Sequence, residues 1–274
     1  MKIGIIGQGF VGNAVYQKFK NFYDVKTFDL DASKCNSTED EVIKSSKIIF
    51  VCLPTPMNPD GSCNISIVEN VIKKINNKVK GKIVVIKSTI IPGTTYKLNK
   101  KYKNNSICFN PEFLTERNAV DDYNNQDRII LGGPRNSTSV LKQVFSVVFP
   151  SANIIKTDSS YAEMVKYVAN TFLSVKVSFA NEIYHLCKKL KLDYDKIIEY
   201  AKYDERLGKS HWSVPGPDGD FGFGGHCFPK DLQAIIQLSK KVKSHNSVLV
   251  ATLETNNKVR KNRDWEKMKG RAIL

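Results

Sequence analysis

The sequence predicts an α/β fold: a doubly wound, mostly parallel sheet, followed by a mainly helical domain built on one long helix. Short apolar runs alternate with helix-like segments through the first 157 residues, which is typical of such a sheet. Residues 159–189 then contain neither Gly nor Pro. We therefore expect a sheet domain at 1–157, a helical domain at 158–243, and a final segment at 244–274 that begins with a helix.

The first apolar run, KIGII at 2–6, predicts a strand that leads into a glycine-rich turn and then a helix. The turn reads GxGxxG, the fingerprint of a Rossmann-type fold. Its first glycine permits the tight turn, its second lets the backbone approach a pyrophosphate, and its third lets the helix pack on the strand. The helix start offers amide groups to the phosphates. The predicted dinucleotide contacts at this turn are Gly7, Gly9, Phe10, Val11 and Gly12.

Asp29 lies in the next strand-like segment, DVKTFDL, about 20 residues beyond the first glycine. A carboxylate at that point accepts hydrogen bonds from ribose hydroxyls and repels a 2′-phosphate, which favours NAD over NADP. The alternative interpretation of Asp29 is a turn residue, and the nearby Lys26 and Lys34 oppose the preference for NAD.

Five further strand-like runs follow, at 47–54, 82–89, 106–109, 127–133 and 152–156. Ligands of such sheets bind beyond the carboxyl ends of the strands. The candidate loops are therefore 54–56, 87–89 and 110–116. Their Pro, Ser, Thr and Asn residues are also ordinary turn residues, so only position marks them as candidates.

Apolar residues recur at helical spacing along 159–189, and Asp158 or Ser159 is the expected cap. The length and two-sided apolarity predict the spine of the second domain and a homodimer contact. Lys166 and Asn170 lie four residues apart, hence on one face, although such a pair is usually an ordinary surface feature. The apolar positions are Met164, Val168, Phe172, Val175, Phe179, Ile183 and Leu186.

The stretch GFGGHCFPKD at 222–231 places Cys227 at or just before a helix start, with Pro229 at the first helical position. The helix dipole and Lys230 favour the thiolate form of Cys227. We expect this thiol to be a nucleophile, because the glycines before it let a bulky substrate approach. A thiol beside a dinucleotide predicts oxidation through a thiohemiacetal and a thioester. The residues Cys52, Cys108 and Cys187 fit inert core positions.

Composition limits the remaining function classes. Glycines interrupt the apolar N-terminus and no stretch reaches the length of a membrane span, so we expect a cytoplasmic protein with no membrane partner. The six cysteines show neither paired nor metal-ligand spacing, which predicts free thiols and no metal. The net charge of +15 is spread along the chain, which favours an anionic substrate and not a nucleic acid.

Seven stretches in order along the chain resemble the UDP-glucose/GDP-mannose dehydrogenase family. The resemblance implies a four-electron oxidation of the C6 alcohol of a nucleotide sugar, with UDP-glucose as the expected substrate and two NAD consumed per sugar. The matching stretches are GQGFVG (7–12), CLPTP (52–56), KSTIIPGT (87–94), NPEFLTE (110–116), DRIILGG (127–133), EMVKYVANTFLSVKVSFANE (163–182) and GFGGHCFPKD (222–231).

The resemblance also implies a role for each matching residue. Cys227 would be the nucleophile, and Lys166 with Asn170 would stabilise the oxyanion at C6. Asp231 and Thr89 would hold and activate water, and Glu112 would act in acid–base or water-positioning work. Implied cofactor contacts beyond the glycine turn are Asp29, Lys34, Pro54, Thr55, Thr89, Glu116 and Lys230. Implied substrate contacts are Glu112, Phe113, Leu114, Lys166, Asn170, Phe221, Gly222, Gly224 and Gly225.

Two departures from the family pattern leave alternatives open. Members of the family continue into a further nucleotide-binding domain, whereas this chain has a helix-like segment at 252–268 and then KGRAIL, which resembles the first strand of that domain. The second departure is HWSVPGPDGDF, where Trp212 either packs in the core or stacks on a base. The alternatives are a two-electron β-hydroxyacid dehydrogenase, which has no use for Cys227, and a non-catalytic nucleotide-sugar or nucleic-acid binder.

Overall fold

A computed structural model describes all residues of the chain, 1–274. The chain divides into two compact units. The sheet unit comprises Met1–Thr55 and Asn64–Lys166, and the helical unit comprises Pro56–Cys63 and Tyr167–Leu274. The domain bounds expected from the sequence, 1–157, 158–243 and 244–274, stay predictions.

The sheet unit contains seven strands in the order β2-β1-β3-β4-β5-β6-β7. All neighbours pair in parallel except β5 and β6, which are antiparallel. This arrangement confirms the predicted α/β fold with a mostly parallel sheet. The strands are β1 (Lys2–Ile6), β2 (Asp24–Phe28), β3 (Ile48–Val51), β4 (Ile83–Ile86), β5 (Ser106–Phe109), β6 (Arg128–Gly132) and β7 (Asn153–Thr157).

Helices cover both faces of the sheet, and alternate strand residues supply the two cores. Ile48 and Phe50 of β3 join one apolar cluster, while Ile49 and Val51 join the other. Both faces are buried, which explains the nearly continuous apolar strands in the sequence. The helices of this unit are α1 (Phe10–Phe19), α2 (Glu39–Ser45), α3 (Ser66–Lys78), α4 (Thr94–Lys101), α5 (Ala119–Asn124) and α6 (Arg135–Val148).

Helix α7 (Ser159–Leu190) is the long helix expected from the sequence, and its residues are shared between the two units. The helical unit adds α8 (Tyr194–Ala201), α9 (Phe228–Lys241) and α10 (Ser247–Val259). Trp212 is buried with Tyr194 and Ile198, and its indole N–H donates to the Gly208 carbonyl at 2.9 Å. Packing therefore accounts for Trp212. None of the helices combines the length and apolar content that crossing a bilayer requires.

The C-terminal prediction is wrong in two respects. The helix expected at 252–268 is α10, which begins at Ser247 and ends at Val259 because Arg260 adopts extended backbone. KGRAIL does not form a strand of its own: Ile273 makes isolated bridges to Met57 and Lys269. Ala272 is buried and its carbonyl accepts a hydrogen bond from the Met57 amide, so tertiary contacts within the helical unit decide the conformation of this segment.

Candidate active site

The glycine turn of the sheet unit has the shape that a dinucleotide requires. Gly7 has a φ of +94°, and a Cβ there would lie 2.3 Å from the Cys52 carbonyl oxygen. A Cβ on Gly12 would lie 1.9 Å from the Gly7 carbonyl oxygen, so close packing excludes a side chain at both positions. A Cβ on Gly9, the N-cap of α1, would meet nothing within 4 Å. That open space at a helix start fits a pyrophosphate.

Asp29 lies directly beside this turn. One carboxylate oxygen accepts the Gln8 amide at 2.6 Å and the other accepts the Asp31 amide at 2.9 Å. Asp29 therefore both joins the end of β2 to the glycine turn and forms a local turn, so the two interpretations of this residue are compatible. Lys34 pairs with Asp31 at 3.0 Å, which neutralises the lysine that opposed the preference for NAD.

The loops after β3 and β4 are bound to each other. The buried Thr55 hydroxyl donates to the Thr89 carbonyl at 2.8 Å, and the Leu53 amide donates to the Ser88 hydroxyl at 2.9 Å. Pro54, between them, is exposed. The structure therefore brings together two of the three candidate loops, 54–56 and 87–89. Thr55 and Thr89 are the buried residues of this contact.

Glu112 and Lys166 form a buried ion pair in the sheet unit. The Lys166 ammonium donates to the Glu112 side chain and to the Glu112 carbonyl, each at 2.7 Å. The other carboxylate oxygen of Glu112 accepts the Leu114 amide at 2.8 Å. Burial raises the pKa of Glu112, but Lys166, the Leu114 amide and Lys87 together bring this pKa below its ordinary value. Glu112 is therefore a carboxylate at neutral pH.

The residues that follow Glu112 are less enclosed. Phe113 is half-buried between two cations, with the Arg128 guanidinium 4.4 Å and the Lys166 ammonium 5.7 Å from its ring centroid. Leu114 is half-buried, and Glu116 is exposed at the start of a short 3₁₀ turn. Only Glu112 and Lys166 of this group are buried, and these are the two to which the family resemblance assigns acid–base and oxyanion-stabilising roles.

Cys227 is the N-cap residue of α9, which begins at Phe228, one residue earlier than expected. Pro229 therefore occupies the second helical position. Lys230 and Asp231 in the first turn are buried, and their side chains pair at 2.5 Å. Burial lowers the pKa of Lys230, but Asp231, Cys227 and Cys63 raise it, and the net pKa lies above the ordinary value. The Cys227 sulfur thus lies in the field of a permanent ammonium.

Asn170 completes this group in the helical unit. It is buried on α7, and its amide nitrogen donates to the second Asp231 oxygen at 2.6 Å. Asp231 thus holds Asn170 on one oxygen and Lys230 on the other. The structure gathers Cys227, Lys230, Asp231 and Asn170, four predicted site residues that are separated by up to 61 positions in the chain.

The cysteine loop is held by packing that the sequence did not reveal. A Cβ on Gly222 would lie 2.2 Å from the Asn256 side-chain oxygen, and one on Gly224 would lie 2.2 Å from the Arg260 guanidinium. Close packing against α10 and Arg260 therefore leaves no room for a side chain at Gly222 or Gly224. Only Gly225, with nothing within 4 Å of its Cβ position, leaves the open space expected for a substrate. Phe221 packs against Tyr184 and His185.

The sequence reasoning gave no role to several buried charged residues, among them Arg260, Glu163 and Lys87. Arg260 pairs with Asp218 and Asp264, and the Asp264 carboxylate accepts the Gly225 amide. Glu163, one turn before Lys166 on α7, accepts the amides of Gly93 and Thr95 at the start of α4, and burial raises its pKa. The third is Lys87, which directly follows β4. No local pattern marks Arg260 or Glu163, whereas Lys87 lies in a loop that the strand order did mark.

Comparison with known proteins gives two matching family models. The NAD-binding domain of the UDP-glucose/GDP-mannose dehydrogenase family matches residues 34–149, and the central domain of the same family matches residues 160–258. The prediction of NAD as cofactor is confirmed by the first match.

Curated relatives and solved structures agree with these models. UDP-glucose 6-dehydrogenase TuaD of Bacillus subtilis is 30% identical over 94% of this chain and 63% of the relative, and UDP-glucose 6-dehydrogenase of Rickettsia bellii is 31% identical over 88% of this chain and 56% of the relative. This chain thus spans less than two thirds of either relative. A UDP-glucose dehydrogenase structure from Pyrobaculum islandicum matches with a TM-score of 0.85 and 27% identity, over 94% of this chain and 68% of that one.

Proposed function

Because the chain belongs to the UDP-glucose/GDP-mannose dehydrogenase family, we propose that it oxidises the C6 alcohol of a nucleotide sugar to a carboxylate, with UDP-glucose converted to UDP-glucuronate. The names of the curated relatives support this substrate. The observation that carries the proposal is Cys227 at the start of α9, next to the buried Lys230 and Asp231. A two-electron dehydrogenase gives no chemical reason for that arrangement.

The sheet unit would hold the cofactor through the glycine turn and Asp29. The space above Gly9 would take the pyrophosphate, and the carboxylate of Asp29 would accept the ribose hydroxyls. NAD, when bound, supplies the hydride acceptor for each of the two oxidations. The implied contacts at Pro54, Thr55, Glu116 and Lys230 remain part of this proposal.

Cys227 would carry the covalent chemistry. After the first oxidation its thiolate adds to the C6 aldehyde, so that a carbon–sulfur bond forms and the carbonyl oxygen becomes an oxyanion. Loss of hydride from C6 turns the thiohemiacetal into a thioester. Water then adds to that carbonyl, the carbon–sulfur bond breaks, and the carboxylate leaves while the thiolate returns. The Lys230 ammonium favours the thiolate at both its addition and its departure.

The polar neighbours would stabilise charge and position water in these steps. Lys166 and Asn170 would donate to the C6 oxyanion, because both carry N–H donors on α7. Asp231 and Thr89 would hold the attacking water, and Glu112, a carboxylate at neutral pH, would accept its proton. Phe113, Leu114 and the backbone of the 221–225 segment would contact the sugar nucleotide, with Gly225 as the position that leaves open space.

We also propose that the chain forms a homodimer through α7. A helix that packs against its own chain normally buries its apolar stripe. On α7 the predicted apolar stripe is largely exposed, with Phe172 exposed by 65% and Val168 by 58%, whereas Lys166, Asn170 and Ser174 are buried. An exposed apolar row along a 32-residue helix fits a second copy of the same surface.

The test of the proposed function is NADH formation with a panel of nucleotide sugars. With UDP-glucose we expect two NADH per sugar and a carboxylate product. UDP-N-acetylhexosamines and GDP-mannose serve as competing substrates that share the chemistry but differ in shape. One NADH per molecule, with an aldehyde or ketone as the product, would favour the two-electron alternative, and absence of NADH with every sugar would refute the proposal.

A further inference from the structure

Lys87 is a buried cation that has no assigned role in the proposed reaction. It follows β4 directly, and only 2% of the residue is exposed. Its ammonium donates to the Asn110 side-chain oxygen at 2.7 Å and lies 5.5 Å from the Tyr123 ring centroid. No carboxylate lies within ion-pair distance of it. Burial of an ammonium without a direct counter-ion is unfavourable, and a Met would fill similar space without that cost.

The partner of Lys87 begins the loop that carries Glu112. Asn110 follows β5, its backbone amide donates to Ile86 at the end of β4, and its side-chain nitrogen donates to the Ile130 carbonyl of β6. The Lys87 ammonium donates to the oxygen of that amide side chain and, over a longer distance of 3.4 Å, to the Asn110 carbonyl. The orientation of Asn110 is thus fixed by three strands, two residues before Glu112.

Two ammonium groups therefore hold the segment from Asn110 to Glu112. Lys87 binds its first residue and Lys166 binds its last. The charge of Lys87 also acts on Glu112 directly, since it is one of the groups that lower the pKa of this carboxyl. Both effects stabilise one arrangement, in which the Glu112 carboxylate is ionised and fixed.

We propose that Lys87 is a positioning residue for Glu112: its ammonium fixes Asn110, and this anchor, two residues before Glu112, keeps the Glu112 carboxylate in place beside the Lys166 ammonium. The inference rests on the proposed function, in which Glu112 handles the proton of the attacking water. It adds a residue that acts on the reaction through Glu112, since the contacts of its own ammonium are with Asn110 and the Tyr123 ring.

The charge of Lys87 should depend on pH in the range where the enzyme is assayed. Burial lowers the pKa of Lys87 to about 8; the nearby Cys52 and Glu112 oppose this decrease and Lys166 adds to it. Burial also raises the pKa of Cys52 to about 12, so Cys52 is a neutral thiol in this range. Because a lysine is charged below its pKa, the support for Glu112 is present below about pH 8 and is lost as the pH rises through that value.

The first experiment measures the Glu112 carboxyl titration by carbon-13 NMR, without substrate, in the wild type and in Lys87→Met, with Glu112→Gln to assign the signal. We expect the midpoint to rise by about one pH unit in Lys87→Met. The control is Lys82→Met, which removes a lysine from the other end of the same strand segment, where its ammonium donates to the Lys44 carbonyl. An unchanged Glu112 midpoint in folded Lys87→Met would overturn the proposal.

The second experiment compares pH profiles of kcat with UDP-glucose. We expect Lys87→Met to lower kcat about tenfold at pH 7 and to remove the alkaline decline that the wild type shows above about pH 8. Lys87→Arg, whose guanidinium stays charged, should move that decline to higher pH. Identical profiles in wild type and Lys87→Met would overturn the proposal. If Lys87→Met does not fold, Lys87→Gln, which keeps a donor but no charge, replaces it in both experiments.

The two experiments separate failure of this inference from failure of the proposed function. An absence of NADH with every nucleotide sugar would refute the function, while the NMR titration would still decide whether Lys87 sets the state of Glu112.

Discussion

At the scale of single residues, each unit contains a group of candidate site residues that consists mainly of buried charges with direct partners. Glu112 pairs with Lys166, and Asp231 pairs with Lys230 and binds Asn170. Charges of this kind add little stability compared with apolar residues of the same volume, but removal of one partner leaves the other buried and unpaired. Their presence is therefore better explained by chemistry than by stability.

The variant Lys166→Met tests whether Glu112 and Lys166 form a buried ion pair whose members depend on each other. We expect it to lower the free energy of unfolding by about 3–5 kcal/mol, because the Glu112 carboxylate is left buried without its counter-ion. The control is Lys101→Met, which breaks the largely exposed pair with Glu69 and should cost less than about 1 kcal/mol. Urea unfolding at pH 7 measures both.

The double variant Glu112→Gln/Lys166→Met should recover part of the loss, since no unpaired charge remains. Equal losses of stability in Lys166→Met and Lys101→Met would show that Glu112 does not depend on Lys166 as a buried counter-ion.

Sequence patterns mark the residues whose conformation is decided locally. Gly7, Gly9 and Gly12 are marked by their spacing, and Cys227 by the helix start that follows it. Glu163 was missed because it binds Gly93 across 70 positions of the chain. Arg260 was missed because two of its three aspartate partners, Asp218 and Asp220, lie in the distant loop before α9. The sequence alone does not show whether a charged side chain is buried or solvated, because its burial depends on the tertiary fold.

At the scale of helices and strands, prediction succeeded where one pattern continued without interruption. The helix expected at 159–189 is α7, Ser159–Leu190, and β1 and β5 have the expected bounds. Prediction failed at α10, where the polar run at 256–264 reads as a solvated helix. The backbone there leaves the helix at Arg260, whose guanidinium binds the Asn262 carbonyl and three aspartates. Tertiary ion pairs overrode helical propensity.

The loop before α9 gives an element-scale prediction. Gly222 has a φ of +66°, and an added Cβ would meet the Asn256 side chain, which accepts the Phe223 amide. Gly222→Ala should therefore destabilise the protein by about 2 kcal/mol more than the control Gly219→Ala. Gly219 has a similar φ of +80° but nothing near its Cβ position, so both variants share the backbone cost of about 1–2 kcal/mol. Thermal unfolding compares them, and equal losses would show that the α10 contact does not hold this loop.

At the scale of the whole molecule, the exposed apolar row of α7 predicts self-association. Phe172→Glu should convert a dimer to a monomer, because a carboxylate would be buried in the contact between copies. Val147→Glu is the control, since Val147 is similarly exposed but lies on α6. Light scattering coupled to size-exclusion chromatography gives the mass of each. A monomeric wild type, or a Phe172→Glu variant that remains dimeric, would contradict the proposed dimer.

The proposed four-electron oxidation depends on Cys227 as the nucleophile. The most direct test of this role counts NADH and carboxylate formed per UDP-glucose in the wild type and in Cys227→Ala. Cys187→Ala serves as the control, because Cys187 is a buried core thiol. We expect two NADH and one carboxylate per sugar in the wild type and the control, and carboxylate formation at least about a thousandfold slower in Cys227→Ala. Carboxylate formed by Cys227→Ala at the wild-type rate, with two NADH per sugar, would contradict the account.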